Sequence, residues 1–302
     1  MIPNKLKKGD TIGVIAPSSP VTPDKIEDIE KSKKLMENAG YKIEFGKYVF
    51  TNELGYGATA KHKAEDINSM FKNKNIKAIF CASGGANCNC TFDYIDYDII
   101  KENPKIICGF SDSTSITNVI HEKTGLVTFN GSTFKALTSW DTDYAYKEVI
   151  KRFELASLEL GNKDDKFISI KNGICEGELV GGNLTLTSKL VCGKYKIDFN
   201  GKILFIEELG YEADAEMVSN CLYYMKQNKV FEQIKGIWVG NYEHPSEIAL
   251  EKILLDTLEN EYNFPIIKSN NFGHTDKKTV IPIGTKAKID NDKIKLIESC
   301  VN

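Results

Sequence analysis

In the stretch Lys105-Ile106-Ile107-Cys108-Gly109-Phe110-Ser111-Asp112-Ser113-Thr114, an apolar, partly β-branched run gives way to a glycine and then to small hydroxyl and carboxylate side chains. The run has the composition of a short buried strand, Gly109 lets the backbone turn sharply, and Asp112 to Thr114 suit the N-terminus of a following helix. Ser111 thus falls on a strand-to-helix corner. Such a corner lifts a hydroxyl clear of the sheet edge and sets it beside the unpaired N–H groups of a helix start, where a developing oxyanion can be held. Two readings fit, a nucleophile or a serine that only caps a helix, and the second glycine of a G-x-S-x-G elbow is missing.

Working outward, the same grammar repeats on both sides. Thr11 to Ala16 is a strand that ends in the loop Pro17-Ser18-Ser19-Pro20, and Thr22-Pro23 opens a helix that Gly40 stops. Tyr41 to Phe45 alternates as a strand, Lys61 to Phe71 has helical spacing, and Ile76 to Ala82 is a buried strand followed by Ser83-Gly84-Gly85-Ala86-Asn87. After the Ser111 corner come a helix with Ile116, Val119 and Ile120 inward, the stop Gly125, and a strand from Leu126 to Asn130. Alternating strands and helices predict a parallel sheet with its strand-end loops gathered at one edge. Gly84-Gly85 permits close backbone approach to a ligand, but without a G-x-G-x-x-G pattern it is no dinucleotide fingerprint. The same absence after the first strand disfavours a nicotinamide oxidoreductase.

From Gly131 to about Asp165 the chain is a polar helix and connection containing Trp140, which is either a loop anchor or a lid over a ligand. From Phe167 onward strands dominate: Gly201 to Glu208, Gly236 to Asn241 and Val280 to Ile289, with a terminal hairpin turning near Asp290 to Asp292. The expected organisation is α/β: a Rossmann-like N-terminal domain with a parallel sheet over residues 1–150, a linker over 151–165, and a β-rich α+β C-terminal domain over 166–302.

Composition bounds the function. The 302 residues suffice for about two domains, and hydrophobic and charged fractions of 41% and 27% describe a soluble globular protein. A formal net charge of -3 leaves no electrostatic footprint for nucleic acid or an acidic membrane. The N-terminal apolar run is too short for a signal segment, so a cytoplasmic location is expected. The eight cysteines lack C-x-x-C spacing and are expected to be reduced; Cys88-Asn89-Cys90, their one tight pair, lacks neighbours to complete a metal site.

A nucleophilic Ser111 needs a general base, and that base needs an orienting acid. Of the four histidines, His62 sits among charged residues on a helix exterior, and His121 is roughly 15 Å along the helix that Ser111 precedes, out of reach. His244, in a loop before a helix, and His274, in Asn270-Asn271-Phe272-Gly273-His274-Thr275-Asp276, both remain, with Gly273 favouring close approach by the latter. For the acid, Glu207 and Glu208 end an apolar strand and alternate to opposite faces, one towards a cleft and the other to solvent.

Five motifs in order, together with the opening Lys8-Gly9-Asp10-Thr11-Ile12-Gly13, carry a resemblance. Gly84-Gly85, Gly109-Phe110-Ser111-Asp112-Ser113-Thr114, Val180-Gly181-Gly182-Asn183-Leu184, Gly201 to Glu207 and Phe272-Gly273-His274 resemble the LD-carboxypeptidase family of serine peptidases over nearly the whole chain. The resemblance implies a Ser-Glu-His triad of Ser111 as nucleophile, His274 as base and Glu207, not Glu208, as orienting acid. It also implies an oxyanion hole from the backbone N–H groups of Gly85 and Asp112, a homodimer, and no metal or cofactor. Murein-recycling members tend to carry Arg-Gly-Gly-Tyr at the first glycine loop and a Gly-Pro after the fifth strand. This chain has Ser83-Gly84-Gly85-Ala86 and Asn130-Gly131-Ser132-Thr133, and Asp93 to Lys105 looks more like the microcin C immunity branch. That branch, with Trp140 placed to stack on a base, implies a peptidyl- or aminoacyl-nucleotide substrate. The alternatives are a murein tetrapeptide carboxypeptidase and, of another class, a non-catalytic protein that binds a small ligand.

Overall fold

The computed structural model describes residues 1–211, 213–242 and 248–302. Its elements run β1 (Thr11–Ile15), α1 (Ile26–Asn38), β2 (Lys42–Phe45), α2 (Ala60–Lys72), β3 (Ile76–Cys81), α3 (Tyr97–Glu102), β4 (Ile106–Gly109), α4 (Ser113–Thr124) and β5 (Thr128–Asn130). Helices α5 (Ala136–Ser139) and α6 (Thr142–Phe153) precede β6 (Phe167–Lys171), β7 (Ile174–Asn183), α7 (Leu184–Ser188), β8 (Ile203–Glu207), α8 (Ala215–Gln227), α9 (Val230–Gln233) and β9 (Gly236–Val239). The chain closes with α10 (Leu250–Leu258), β10 (Ile266–Ser269), β11 (Ile281–Ile283), β12 (Lys286–Asp290) and β13 (Lys293–Leu296).

The first half forms an α/β layer structure of Rossmann type. Its six-stranded sheet has the order β11-β5-β4-β3-β1-β2, parallel from β5 to β2. Alternate side chains of the buried strands leave on opposite faces: Ala78, Phe80, Ile106 and Cys108 join one core with Ile29 and Met36 of α1 and Val149 and Phe153 of α6. Ile79 and Ile107 join the other, with Ile67 and Phe71 of α2 and Ile116 and Ile120 of α4. The strand order reverses between β1 and β3, so the loops after those two strands flank the crevice where open sheets of this kind place ligands. The Ser111 corner follows β4, next to β3.

The second sheet has seven strands in the order β13-β12-β7-β8-β9-β10-β6, with β7 to β10 parallel and the edges antiparallel. The run Val280 to Ile289, expected as one strand, divides in two at Gly284, whose φ is +84°. Ile281–Ile283 completes the first sheet against β5, and Lys286–Asp290 crosses to the second against β7. A segment from beyond residue 166 thus adds an edge strand to the sheet built by residues 11–130.

Helix α4 ties the two sheets together. The Asn118 side-chain amide donates to Gly181 O at 2.8 Å and its carbonyl accepts from Gly181 N at 3.2 Å, so one side chain completes the backbone bonding of β7. Thr114 Oγ1 accepts from Asn183 N, at the end of the same strand. Because β7 pairs with β8 in the register Asn183↔Glu207, these bonds carry the end of β8 to the start of α4. Among the described residues, no helix is long and apolar enough to cross a membrane.

Candidate active site

Ser111 stands on a strained corner. Its φ is +61°, a left-handed value that a serine adopts only where the surroundings impose it. The imposition comes from Asp112, 2% exposed, whose Oδ2 accepts from Ser18 Oγ at 2.5 Å and from Cys88 N at 2.8 Å. Its backbone carbonyl accepts from the Cys88 thiol and from Ser115 Oγ. One carboxylate therefore fastens the loops after β1 and β3 to the corner after β4.

The glycine loop passes directly over the hydroxyl. A side chain at Gly84 would begin 3.2 Å from Ser111 Oγ, and one at Gly85, where φ is +143°, would begin 1.9 Å from Ser19 Oγ. Gly85 needs glycine for this approach, and Gly84 leaves only tight room for a Cβ beside the nucleophile. Gly85 and Asp112 line one cavity of about 530 Å³, together with Thr185 and Tyr195 from the other side of the cleft. Neither the Gly85 nor the Asp112 N–H donates to another group among the described residues.

His274 enters from the loop between β10 and β11. Its Nε2 lies 3.2 Å from Ser111 Oγ, and its Nδ1 lies 2.7 Å from Glu207 Oε2. The same Oε2 accepts from the His274 backbone N–H at 3.0 Å, so the carboxylate fixes both the ring and the chain that bears it. With Nδ1–H donated to Glu207, the Nε2 lone pair faces the serine. Gly273 makes this possible: φ is +97°, and a Cβ there would begin 2.6 Å from Glu207 Cβ. Burial opposes protonation of His274, but the charge and hydrogen bond of Glu207 outweigh it and raise the imidazole above its ordinary 6.5. Asn241 Nδ2 donates to His274 O at 2.8 Å and completes the support of the loop.

The neighbouring acid behaves differently from expectation. Glu208 does not meet solvent; it is 2% exposed and accepts from Asn183 Nδ2, Thr185 N, Thr185 Oγ1 and Leu209 N. It pins the start of α7, and burial raises its carboxyl above the usual range. The other histidines stand elsewhere: His62 stacks on Tyr48 at 4.1 Å and bonds Glu53, His121 Nδ1 bonds Leu126 O, and His244 lies outside the described residues.

Trp140, 38% exposed, meets the Phe110 ring edge-on at 6.0 Å, and Phe110 meets His274 at 5.0 Å. The three rings make one wall beside Ser111. Sequence reasoning had no reason to single out Lys278, whose Nζ lies 3.0 Å from the centre of the Trp140 ring. It looked like one polar residue among several in Thr275-Asp276-Lys277-Lys278-Thr279, yet it is 2% exposed while Lys277 faces outward. The Asp112 side chain, expected to cap α4, makes no cap hydrogen bond and instead holds Ser18 and Cys88. All eight cysteines are free thiols, and no metal-ligand cluster occurs among the described residues.

The N-terminal domain of the LD-carboxypeptidases matches residues 12–131, and their C-terminal domain matches residues 176–289. The chain belongs to the LD-carboxypeptidase family. A probable murein peptide carboxypeptidase of Bacillus subtilis is 31% identical, over 99% of this chain and 95% of its own. The microcin C7 self-immunity protein MccF of Escherichia coli is 27% identical, over 95% of this chain and 92% of its own. The solved structure of an MccF-like protein from Bacillus anthracis superposes with a TM-score of 0.87 at 28% identity, covering 98% of each chain. In family terms, the first matched domain holds Ser111 and the glycine loop, and the second holds Glu207 and His274.

Proposed function

We propose that this LD-carboxypeptidase family member is a serine hydrolase in which Ser111, His274 and Glu207 act as nucleophile, general base and orienting acid. The observation that carries the reading is the unbroken chain Ser111 Oγ, His274 Nε2, His274 Nδ1, Glu207 Oε2, with spacings of 3.2 and 2.7 Å. A binding protein has no use for a base aimed at a strained serine, and this geometry weighs against the non-catalytic alternative.

In the proposed reaction Ser111 Oγ attacks the carbonyl carbon of an amide while Nε2 takes the hydroxyl proton. Glu207 holds the ring in the tautomer that can accept it and stabilises the imidazolium that results. The tetrahedral oxygen settles against the free N–H groups of Gly85 and Asp112. Nε2 then protonates the departing amine, and a water molecule, activated by the same nitrogen, releases the acid from Ser111.

For the substrate we propose a peptidyl- or aminoacyl-nucleotide. The half-exposed Trp140 indole, in line with Phe110 beside the nucleophile, offers a surface on which a base can stack. The kinship with a self-immunity protein against microcin C7 supports the same choice. A murein tetrapeptide that loses its terminal D-alanine is the second reading, favoured by the Bacillus subtilis relative.

The test is mass spectrometry of products from wild type and Ser111→Ala, each incubated with a murein tetrapeptide and with an aminoacyl sulfamoyl adenosine. Release of the amino acid from the second substrate by wild type alone is expected. Loss of D-alanine from the first by wild type alone would move the assignment to cell-wall recycling. Equal products from both proteins would remove Ser111 from the chemistry.

A further inference from the structure

Lys278 is a lysine buried at 2% exposure with no carboxylate bonded to it. Lysine is almost never buried so fully unless it is paired, and here the partners are backbone. Nζ donates to Gly273 O at 2.7 Å and to Thr275 O at 2.5 Å, the carbonyls immediately before and after His274. On its other side lie two aromatic rings, Trp140 at 3.0 Å and Phe110 at 4.6 Å from ring centre to nitrogen. One amine thus touches the loop that bears the imidazole on both flanks, and also the rings that border the cleft.

We propose that Lys278 is a positioning residue that fixes His274 relative to Ser111 and locks the Trp140–Phe110 wall to the same loop. The proposal rests on the catalytic role assigned to His274 above, and it extends that role to a residue that need not touch substrate. Loop residues 270–279 have no strand or helix to set their path. Glu207 holds the His274 N–H, Asn241 holds its carbonyl, and Gly273 O also accepts from Thr275 N at 2.9 Å, so Thr275 O is the flanking carbonyl that, among the described residues, only Lys278 grips. Lys278 supplies that grip across one turn of loop. Burial pushes its amine down to about 6, and a neutral amine still offers two N–H bonds for the two carbonyls. The charge is therefore dispensable for this task, whereas the reach of the side chain is not.

The geometry also links binding to catalysis. A ligand that displaces the Trp140 ring presses on Lys278, and through it on the peptide units around His274. A general base that shifts by about 1 Å loses on the order of 10²-fold in rate, so a clamp of this kind has a measurable value.

The test compares wild type with Lys278→Met, which keeps the length and apolar stem but has no donor. Two readouts are taken: steady-state hydrolysis of an aminoacyl sulfamoyl adenosine, or of a murein tetrapeptide where that is the one turned over, and the NMR signal of the His274 Nδ1 proton without substrate, assigned by its absence in His274→Ala. The expected result is a kcat lower by about 10- to 100-fold with KM within about threefold, and loss or broadening of the Nδ1 proton signal while circular dichroism is unchanged. Wild-type kcat together with an unaltered Nδ1 signal would overturn the proposal. Should Lys278→Met fail to fold, Lys278→Gln keeps a polar end that stops short of both carbonyls, and the same two outcomes decide. Because the NMR readout needs no turnover, an inactive wild type would count against the proposed function, while an unaltered Nδ1 signal in Lys278→Met would still overturn, and its loss still support, the positioning role of Lys278.

Discussion

The Ser111 corner and the His274 loop meet at one hydrogen bond, yet they are built on opposite principles. The corner is part of regular structure: β4 leads in, α4 leads out, and the residues that fix it are Asp112 and the ends of two adjacent parallel strands. The His274 loop has no regular structure of its own and is held by groups far away in sequence, Glu207 on β8, Asn241 after β9, and Asp165, which receives Asn271 and Lys277. The difference teaches where damage should be local and where it should be remote. At the corner the chemistry depends on the residue itself; at the loop it depends on the supports.

The largest effect that bears on this contrast comes from the two residues at the meeting point. Ser111→Ala and His274→Ala should each lower kcat by several orders of magnitude, up to about 10⁶ on the scale of known triads, with the thermal midpoint of Ser111→Ala near wild type and that of His274→Ala lower, because it leaves the buried Glu207 without its imidazole partner. Steady-state kinetics beside thermal melting checks both, and near-normal turnover in either variant would dissolve the contrast by removing the site.

Next in size is the pair of adjacent acids. Glu207→Gln should cost on the order of 10⁴ in kcat, because the ring loses the charge that stabilises its protonated form. Glu208→Gln should leave kcat within a few-fold and instead lower stability by about 1–3 kcal/mol, since a carboxamide cannot accept from all four of the donors that Glu208 now satisfies. Denaturant titration and kinetics on both variants separate the two. The reverse pattern would transfer the orienting role by one residue.

Smaller, and aimed at the supports, is Gly273→Ala. Left-handed backbone and collision with Glu207 together should cost about 2–4 kcal/mol of stability and displace His274, lowering kcat as well. Gly125→Ala is the control: its φ is +70°, but the nearest atom to a Cβ there is 3.9 Å away, so only the backbone strain of about 1–2 kcal/mol should appear, with no kinetic change. If both variants lose stability equally and neither loses activity, the loop has more freedom than its contacts suggest.

How much of this was legible in the sequence follows the same division. The corner could be read directly, because an apolar run, a turn glycine and capping residues are local signals, and so was the βα rhythm that surrounds it. The second sheet was harder. Val280 to Ile289 holds two local breakers, Pro282 and Gly284, and the chain breaks at Gly284, but nothing local says that the first part joins β5 and the second part β7. Solvent was assigned to one of the two acids because alternation gives a direction and not a destination; the far face of β8 is covered by Asn183 and Thr185, which arrive from another strand and helix. Lys278 was invisible for the same reason, since a lysine in a polar loop is marked as buried only by what packs on it.

The pH response separates the loop from the corner by the smallest effect. The proposed reaction needs His274 unprotonated, and Glu207 holds its pKa above 6.5 against the opposing effect of burial, so kcat/KM should fall as pH drops through a value above 6.5. In Glu207→Gln the raising influence of the charge is gone while burial remains, and whatever activity survives should show its acid limb at lower pH. Stability carries the opposite signature. A histidine whose folded pKa is raised contributes stability that is complete below the unfolded value near 6.5 and is lost as pH rises through the folded one. The stability gap between wild type and Glu207→Gln should therefore be widest in mild acid and narrow towards alkaline pH, read from denaturation midpoints across pH 5 to 9. The Ser111→Ala protein should show that same profile as wild type, because the corner carries no titrating partner of its own that the loop needs. A gap that does not vary with pH would mean that Glu207 orients the loop through hydrogen bonds alone, leaving the imidazole unaffected by its charge.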